Sequence, residues 1–222
     1  MRSRPPGTYR LAVSAAAGVA VALWLGREVA ERETLRIDTA ILDAIHAASN
    51  PAIDRLAAFA TFLGGPLALG LIALAIVTLL VRAGRVRAAV VIGAGIALAT
   101  VLDLVLKELF DRVRPELWLR PQTWGESFPS GHALSSAVVY GLAAWLLSQQ
   151  RPRNAVGFAI AAIAIVAAVA LSRLVLGVHW PSDVLAGAAI GFVWMSAIVA
   201  TVWRVERGAV PRPWSAPRSA RR

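Results

Sequence analysis

Cysteine is absent from all 222 residues, which excludes disulfides, thiolate nucleophiles and Cys-ligated zinc or iron–sulfur centres. Charge is scarce as well. Asp, Glu, Lys and Arg make up 16% of the chain against 58% apolar residues, a balance that excludes a soluble enzyme of ordinary composition. Lysine is almost missing, because Lys107 stands alone among 23 cationic residues. There is no G-x-x-x-x-G-K-[ST] or G-x-G-x-x-G phosphate loop and no fixed-period repeat.

What is present is a series of long apolar runs: Leu11 to Leu25, Pro66 to Val81, Ala88 to Leu106, Gly131 to Leu147, Ala155 to Leu171 and Val184 to Trp203. At about 1.5 Å of rise per helical residue, most can cross a hydrocarbon layer, the first two marginally. An all-α, polytopic membrane protein with six transmembrane helices follows. The spacers alternate in charge. The termini and every second spacer hold fourteen cations, among them Arg82, Arg85, Arg87, Arg151 and Arg153, and one acid, Glu206. This positive-inside pattern puts both termini on the cytoplasmic side of a bacterial-type cell membrane, with residues 27–65, 107–130 and 172–183 outward. Topology thereby accounts for the net charge of +10, and no aromatic-interleaved basic patch points to nucleic acid.

Residues 2–25 resemble a secretory signal, but Gly26-Arg27-Glu28 offers no small-residue cleavage site, so an uncleaved first helix is expected. After it, Ile37, Ile41, Leu42 and Ile45 recur at helical spacing with Asp38 and Asp43 opposite, as in a short helix lying in the membrane interface. Asn50-Pro51 ends that helix. A further apolar helix, Ile53 to Leu63, leads to Gly64-Gly65-Pro66, which punctuates the entry to the second crossing. Residues 1–207 form a single domain on this reading, and 208–222, rich in Arg and Pro, form a disordered cytoplasmic tail.

Polar residues gather where apolar ones would be expected. The third crossing runs into Lys107, Arg114 and Pro115; the fourth opens on Pro129-Ser130-Gly131-His132; Ser172-Arg173 and His179-Trp180-Pro181-Ser182-Asp183 link the fifth and sixth. By the charge pattern all lie on one side. Arg114 and Arg173 offer forked donors matched to phosphate oxygens, and Lys107 adds a compact charge. The amides of Ser130, Gly131 and His132 sit at a helix start, unpaired and at the positive end of its dipole. A phosphate held there suits attack by His179, with Asp183 four residues on to hold the other ring nitrogen, and His132 as acid for the leaving oxygen and base for water.

These segments read Lys-x6-Arg-Pro, Pro-Ser-Gly-His and Ser-Arg-x5-His-x3-Asp, and all eleven specified positions are filled. The chain is thereby identified as a member of the type 2 phosphatidic acid phosphatase superfamily, in its branch of bacterial membrane lipid phosphatases. The resemblance implies a cofactor-free, metal-independent hydrolase acting through a phosphohistidine on a lipid phosphate or diphosphate, of the undecaprenyl diphosphate, phosphatidylglycerol phosphate or phosphatidic acid type. It implies His179 as nucleophile, Asp183 as its partner and His132 as acid and base. The phosphate site would be Lys107, Arg114, Ser130, Gly131 and Arg173, at the outer helix ends. Partners are then a membrane lipid and phosphate, with no oligomeric state specified. A lipid phosphotransferase is the nearest alternative and an anion transporter a more distant one, although the charges cluster at one face rather than at a midplane.

Other residues receive plainer readings. Asp103 and Asp111, four residues either side of Lys107, are expected to pair with it. His46 is expected to be structural. Glu108, Asp111, Glu116 and Glu126 are scattered rather than spaced as metal ligands. Trp118, Trp124 and Trp180 read as interfacial belt residues, and headgroup selection is expected within 116–127.

Overall fold

A computed structural model describes residues 8–31, 33–115 and 125–206. They form eight α-helices, α1 (Thr8–Ala30), α2 (Leu35–Ala47), α3 (Pro51–Leu63), α4 (Pro66–Arg82), α5 (Val86–Phe110), α6 (Gly131–Gln150), α7 (Ala155–Val175) and α8 (Pro181–Val205), with a 3-10 turn at Pro152–Asn154 and no strand among the described residues. Local chemistry marks the boundaries. Proline occupies the first turn of α3, α4 and α8, where its missing N–H costs nothing. Asn50 caps α3 by accepting from the amides of Ala52 and Ile53 at 3.0 and 3.1 Å. At the other end of the scale, Asp111 terminates α5 in a left-handed conformation at φ 43°.

Among the described residues, six stretches are long and apolar enough to cross a membrane: Val13–Ala30, Pro51–Arg82, Val86–Phe110, Gly131–Gln150, Pro152–Val175 and Pro181–Val205. The second differs from the sequence expectation, which started it at Pro66. It is a 32-residue run in which α3 and α4 follow one another through a single break. Gly64 stays in the right-handed helical region and only Gly65 is extended (ψ 161°), so the break is confined to one residue.

The central pair is α6 and α8. Leu134, Val138, Leu142, Val199 and Val202 are buried between them and the flanking α4 and α5. Their backbones come close because glycines leave room: a Cβ on Gly187 would lie 2.5 Å from the Ser130 carbonyl oxygen, and one on Gly191 would lie 2.4 Å from that of Leu134. The periphery is apolar as well. Leu74, Val90, Leu104, Val156, Ile160 and Ile163 all stand exposed, the arrangement expected of helices solvated by hydrocarbon. At the ends carrying Arg85 (α5) and Glu206 (α8), the guanidinium donates twice to the carboxylate, at 2.9 and 2.7 Å.

The α2 helix corrects the sequence reading. Asp38 is only 2% exposed and turns inward with Leu42, while Ile37 and Ile41 lie outside. A polar side chain at helical spacing was assigned to the wet face, but Asp38 has three donors waiting on the protein side and is better satisfied there. The expected tail, 208–222, lies outside the described residues, as do the first basic residues, Arg2 and Arg4, and the two tryptophans Trp118 and Trp124.

Candidate active site

Four helix ends converge at one end of the bundle: the last turns of α5 and α7 and the first turns of α6 and α8. Lys107 leaves the last turn of α5, and its ammonium donates to both oxygens of Asp103 (2.8 and 2.9 Å) and to the Pro129 carbonyl (2.9 Å). Asp103 is therefore the partner expected from its spacing. Asp111 is not, because its left-handed turn ends the helix and leaves it exposed.

Beyond that turn, the chain carries Arg114 back across the site. Its guanidinium donates to the carbonyls of Gly125 (2.8 Å), Val178 (2.7 Å) and Glu126 (3.1 Å). Burial holds it below the ordinary arginine range, opposed by the charges of Asp183 and Glu126. Arg173, in the last turn of α7, donates to the Thr61 hydroxyl of α3. Its Nε is buried without a hydrogen-bond partner among the described residues, and so is the hydroxyl of Ser130. A buried donor left unpaired is costly, and two in one cluster mark a place prepared for an acceptor from outside the chain.

Ser130 precedes α6 but does not cap it, so its hydroxyl remains available. Its amide is not available, contrary to the sequence reading: it donates to the Asp183 carbonyl at 3.0 Å, stitching the start of α6 to the start of α8. The amides of Gly131 and His132, in the first turn, are the ones left without an intrahelical acceptor. His132 lines the cavity, and its ring makes no hydrogen bond to another described residue.

His179 is held just before α8, after a turn at Gly177 whose φ of 62° suits a residue without a side chain. It is 2% exposed. Its Nδ1–H donates to the Ser127 carbonyl at 2.9 Å, which leaves Nε2 unprotonated, 3.2 Å from Nη1 of Arg114. The Asp183 carboxylate, expected to hold the ring, stands at 3.5 Å from Nδ1. It is occupied elsewhere: Oδ2 accepts from the Trp180 amide at 2.8 Å, closing the first turn of α8, and Oδ1 accepts from Arg112. Burial, followed by the charges of Arg114 and Arg173, pushes the His179 imidazole down to about 4 against the pull of Asp183, so it is neutral near pH 7.

Three participants were not singled out from sequence. Arg112, two residues before Arg114, had no motif position to mark it. The Ser127 carbonyl is main chain and carries no side-chain signal. Thr61 lies in α3, more than a hundred residues from Arg173. Trp180, read as a belt residue, is instead buried, donates from Nε1 to the Val113 carbonyl at 2.9 Å and lies 5.5 Å from the Arg112 guanidinium. The part of 116–127 that is described holds Arg114 and His179 through the carbonyls of Gly125, Glu126 and Ser127.

These groups surround the head of a cavity of about 600 Å³. Lys107, Arg114, His132, Arg173 and His179 line its head, and Leu69, Ala73, Ile96, Val138 and Val139 line the remainder, between membrane-crossing helices. Among the described residues no group of three or more His, Asp or Glu side chains is arranged to hold a metal ion. A tetrahedral anion with an apolar substituent is the ligand that such a surface complements.

Known proteins are similar to this chain in sequence and fold. Residues 88–207 match the family model of the PAP2 superfamily. Phosphatidylglycerophosphatase B of Bacillus subtilis is 38% identical over 96 residues, 41% of this chain and 47% of that relative, so the match spans about half the relative's length. Decaprenylphosphoryl-5-phosphoribose phosphatase of Mycobacterium tuberculosis is 34% identical over 175 residues, 75% of this chain and 91% of that protein. A crystal structure of a transmembrane PAP2-type phosphatidylglycerolphosphate phosphatase from Bacillus subtilis superposes with a TM-score of 0.80 at 25% identity, covering 88% of this chain and 98% of that one. With the family model extending from the start of α5 past the end of α8, across His132, His179, Lys107, Arg114 and Arg173, this multi-pass membrane chain belongs to the PAP2 superfamily.

Proposed function

We propose that this protein is a lipid phosphatase that hydrolyses a lipid phosphate or diphosphate through a phosphohistidine intermediate. One observation carries the reading: Nε2 of His179, unprotonated, sits beside Arg114 at the cationic head of a cavity whose remainder is apolar and runs between membrane-crossing helices. The names of the relatives, all phosphatases of lipid-linked phosphates, support the substrate class. Undecaprenyl diphosphate, phosphatidylglycerol phosphate and phosphatidic acid types all present the required head.

In the reaction, Lys107, Arg114 and Arg173 neutralise the phosphoryl oxygens, with the Ser130 hydroxyl and the amides of Gly131 and His132 as further donors. Nε2 of His179 attacks phosphorus, forming a P–N bond as the P–O bond to the lipid breaks, and protonated His132 passes its proton to the departing oxygen. Neutral His132 then takes a proton from water, whose oxygen attacks the phosphohistidine and releases phosphate. The positive-inside charge pattern supports cytoplasmic termini and an extracytoplasmic site in the cell membrane.

The test is phosphate release from a panel of lipid phosphates by detergent-solubilised protein, with and without chelator and with His179→Ala as blank. Turnover of at least one lipid by the wild type and none by the variant is expected. Equal release by both would overturn the assignment, and release abolished by chelator would overturn the metal-independent chemistry.

A further inference from the structure

Arg112 plays no part in the reaction above, yet it is the hub of a buried charge cluster directly behind the nucleophile. Its Nη1 donates to Oδ1 of Asp183 and, at 2.7 Å, to the Ser182 hydroxyl. Its Nη2 donates to Oδ2 of Asp38 at 2.7 Å and to the Thr34 hydroxyl at 3.2 Å. Asp38 in turn accepts from the Ser182 amide at 2.9 Å and from the Ser182 hydroxyl. One guanidinium thus spans two carboxylates that are 3% and 0% exposed, one on α2 and one on α8.

The energetics explain why the fork is needed. Two buried carboxylates repel one another, and each costs several kcal/mol to desolvate unless a cation and hydrogen bonds compensate. A planar guanidinium can donate to both at once, which an ammonium cannot do with the same geometry. With Arg112 on Oδ1, Asp183 is fixed in rotation, its Oδ2 toward Trp180 N and His179 Nδ1.

We propose that Arg112 is a positioning residue for the phosphatase reaction, aligning His179 through Asp183 and anchoring α2 over the start of α8 through Asp38. The assignment rests on the function proposed above. Around His179, the groups that bear on its protonation are Asp183 from α8, Arg114 from the segment after α5, Arg173 from α7 and His132 from α6. Removing Arg112 leaves Asp183 without its cation. The carboxylate then pulls more strongly on an imidazolium, which raises the pH at which neutral His179 is lost.

The experiment measures kcat, KM and the pH profile of kcat/KM in detergent for wild type, Arg112→Gln, Arg112→Lys and Asp38→Asn, with His179→Ala as blank and thermal unfolding as the folding control. For Arg112→Gln, kcat should fall on the order of 10- to 100-fold, as for other groups that orient a catalytic side chain, with KM within about threefold and the acidic limb moved to higher pH. Arg112→Lys should restore part of kcat, and Asp38→Asn should show a smaller loss in the same direction. Should Arg112→Gln fail to fold, the Lys and Asp38 variants carry the same test through the acidic limb. A wild-type kcat and an unmoved limb in the folded variants overturn the positioning role while leaving the phosphatase intact. A wild-type protein no more active than the His179→Ala blank overturns both.

Discussion

The close approach of α6 and α8 predicts that Gly187→Ala damages catalysis more than it damages stability. A Cβ at position 187 would stand 2.5 Å from the Ser130 carbonyl oxygen and 3.3 Å from Ala133 Cβ. Ordinary contact begins at 3.4 Å, so the two backbones must part by about 0.9 Å at the junction where the Ser130 amide binds the Asp183 carbonyl. Overpacking of this kind costs about 1–3 kcal/mol, and replacing a mid-helix glycine by alanine returns about 1 kcal/mol, leaving a net loss of roughly 0–2 kcal/mol. The catalytic consequence is larger, because Ser130 and His179 sit on the two sides of that junction and a displacement near 1 Å can cost on the order of 100-fold in rate. Gly191→Ala is the comparison. Its Cβ would overlap the Leu134 carbonyl oxygen just as severely, at 2.4 Å, but one turn further from the site. Phosphate release and thermal unfolding of both variants decide the matter: Gly187→Ala should lose far more kcat than Gly191→Ala at comparable stability. Wild-type kcat in Gly187→Ala, or equal losses in both, would refute the claim that this contact sets the spacing of the site.

Three further outcomes are expected. Asp103→Asn should lower kcat about tenfold, less than Lys107→Ala, because the Pro129 carbonyl still holds the ammonium after one anchor weakens; steady-state kinetics of the two variants check it. Arg85→Ala removes the bidentate pair to Glu206 at the far end of the bundle and should cost about 1–3 kcal/mol of stability, seen in thermal unfolding, with kcat unchanged. The third concerns pH. Because burial holds folded His179 at about 4, below its ordinary 6.5, the folded state resists protonation that the unfolded chain accepts; its contribution to stability is complete above pH 6.5 and fades as pH falls toward 4. Thermal unfolding of wild type between those values should show a decline that His179→Asn reduces.

The helices were legible because apolar runs end at Arg, Gly and Pro, and the cationic head was legible because its members fall into spaced motifs. The parts that escaped the sequence share a physical cause. Asp38 and Arg112 are partners 74 positions apart, so nothing local says that a polar residue on an amphipathic helix turns inward. The acceptor of the His179 N–H is a main-chain oxygen, which any residue could supply, and Asp183 reads as the obvious alternative four residues away. Trp180 fits a headgroup belt by type and position, and only the return of the segment after α5 across the first turn of α8 buries it. The break at Gly64-Gly65 reads as a boundary because two glycines and a proline usually make one; here the helix resumes after one extended residue.

The apolar remainder of the cavity has a kinetic corollary. With Leu69, Ala73, Ile96 and Val139 as its walls, the proposed function has a long-chain substrate reach His179 without leaving the bilayer, so that encounter would be two-dimensional diffusion within a leaflet. The concentration that governs turnover is then a mole fraction among lipids: added inert lipid slows the enzyme, and added buffer does not.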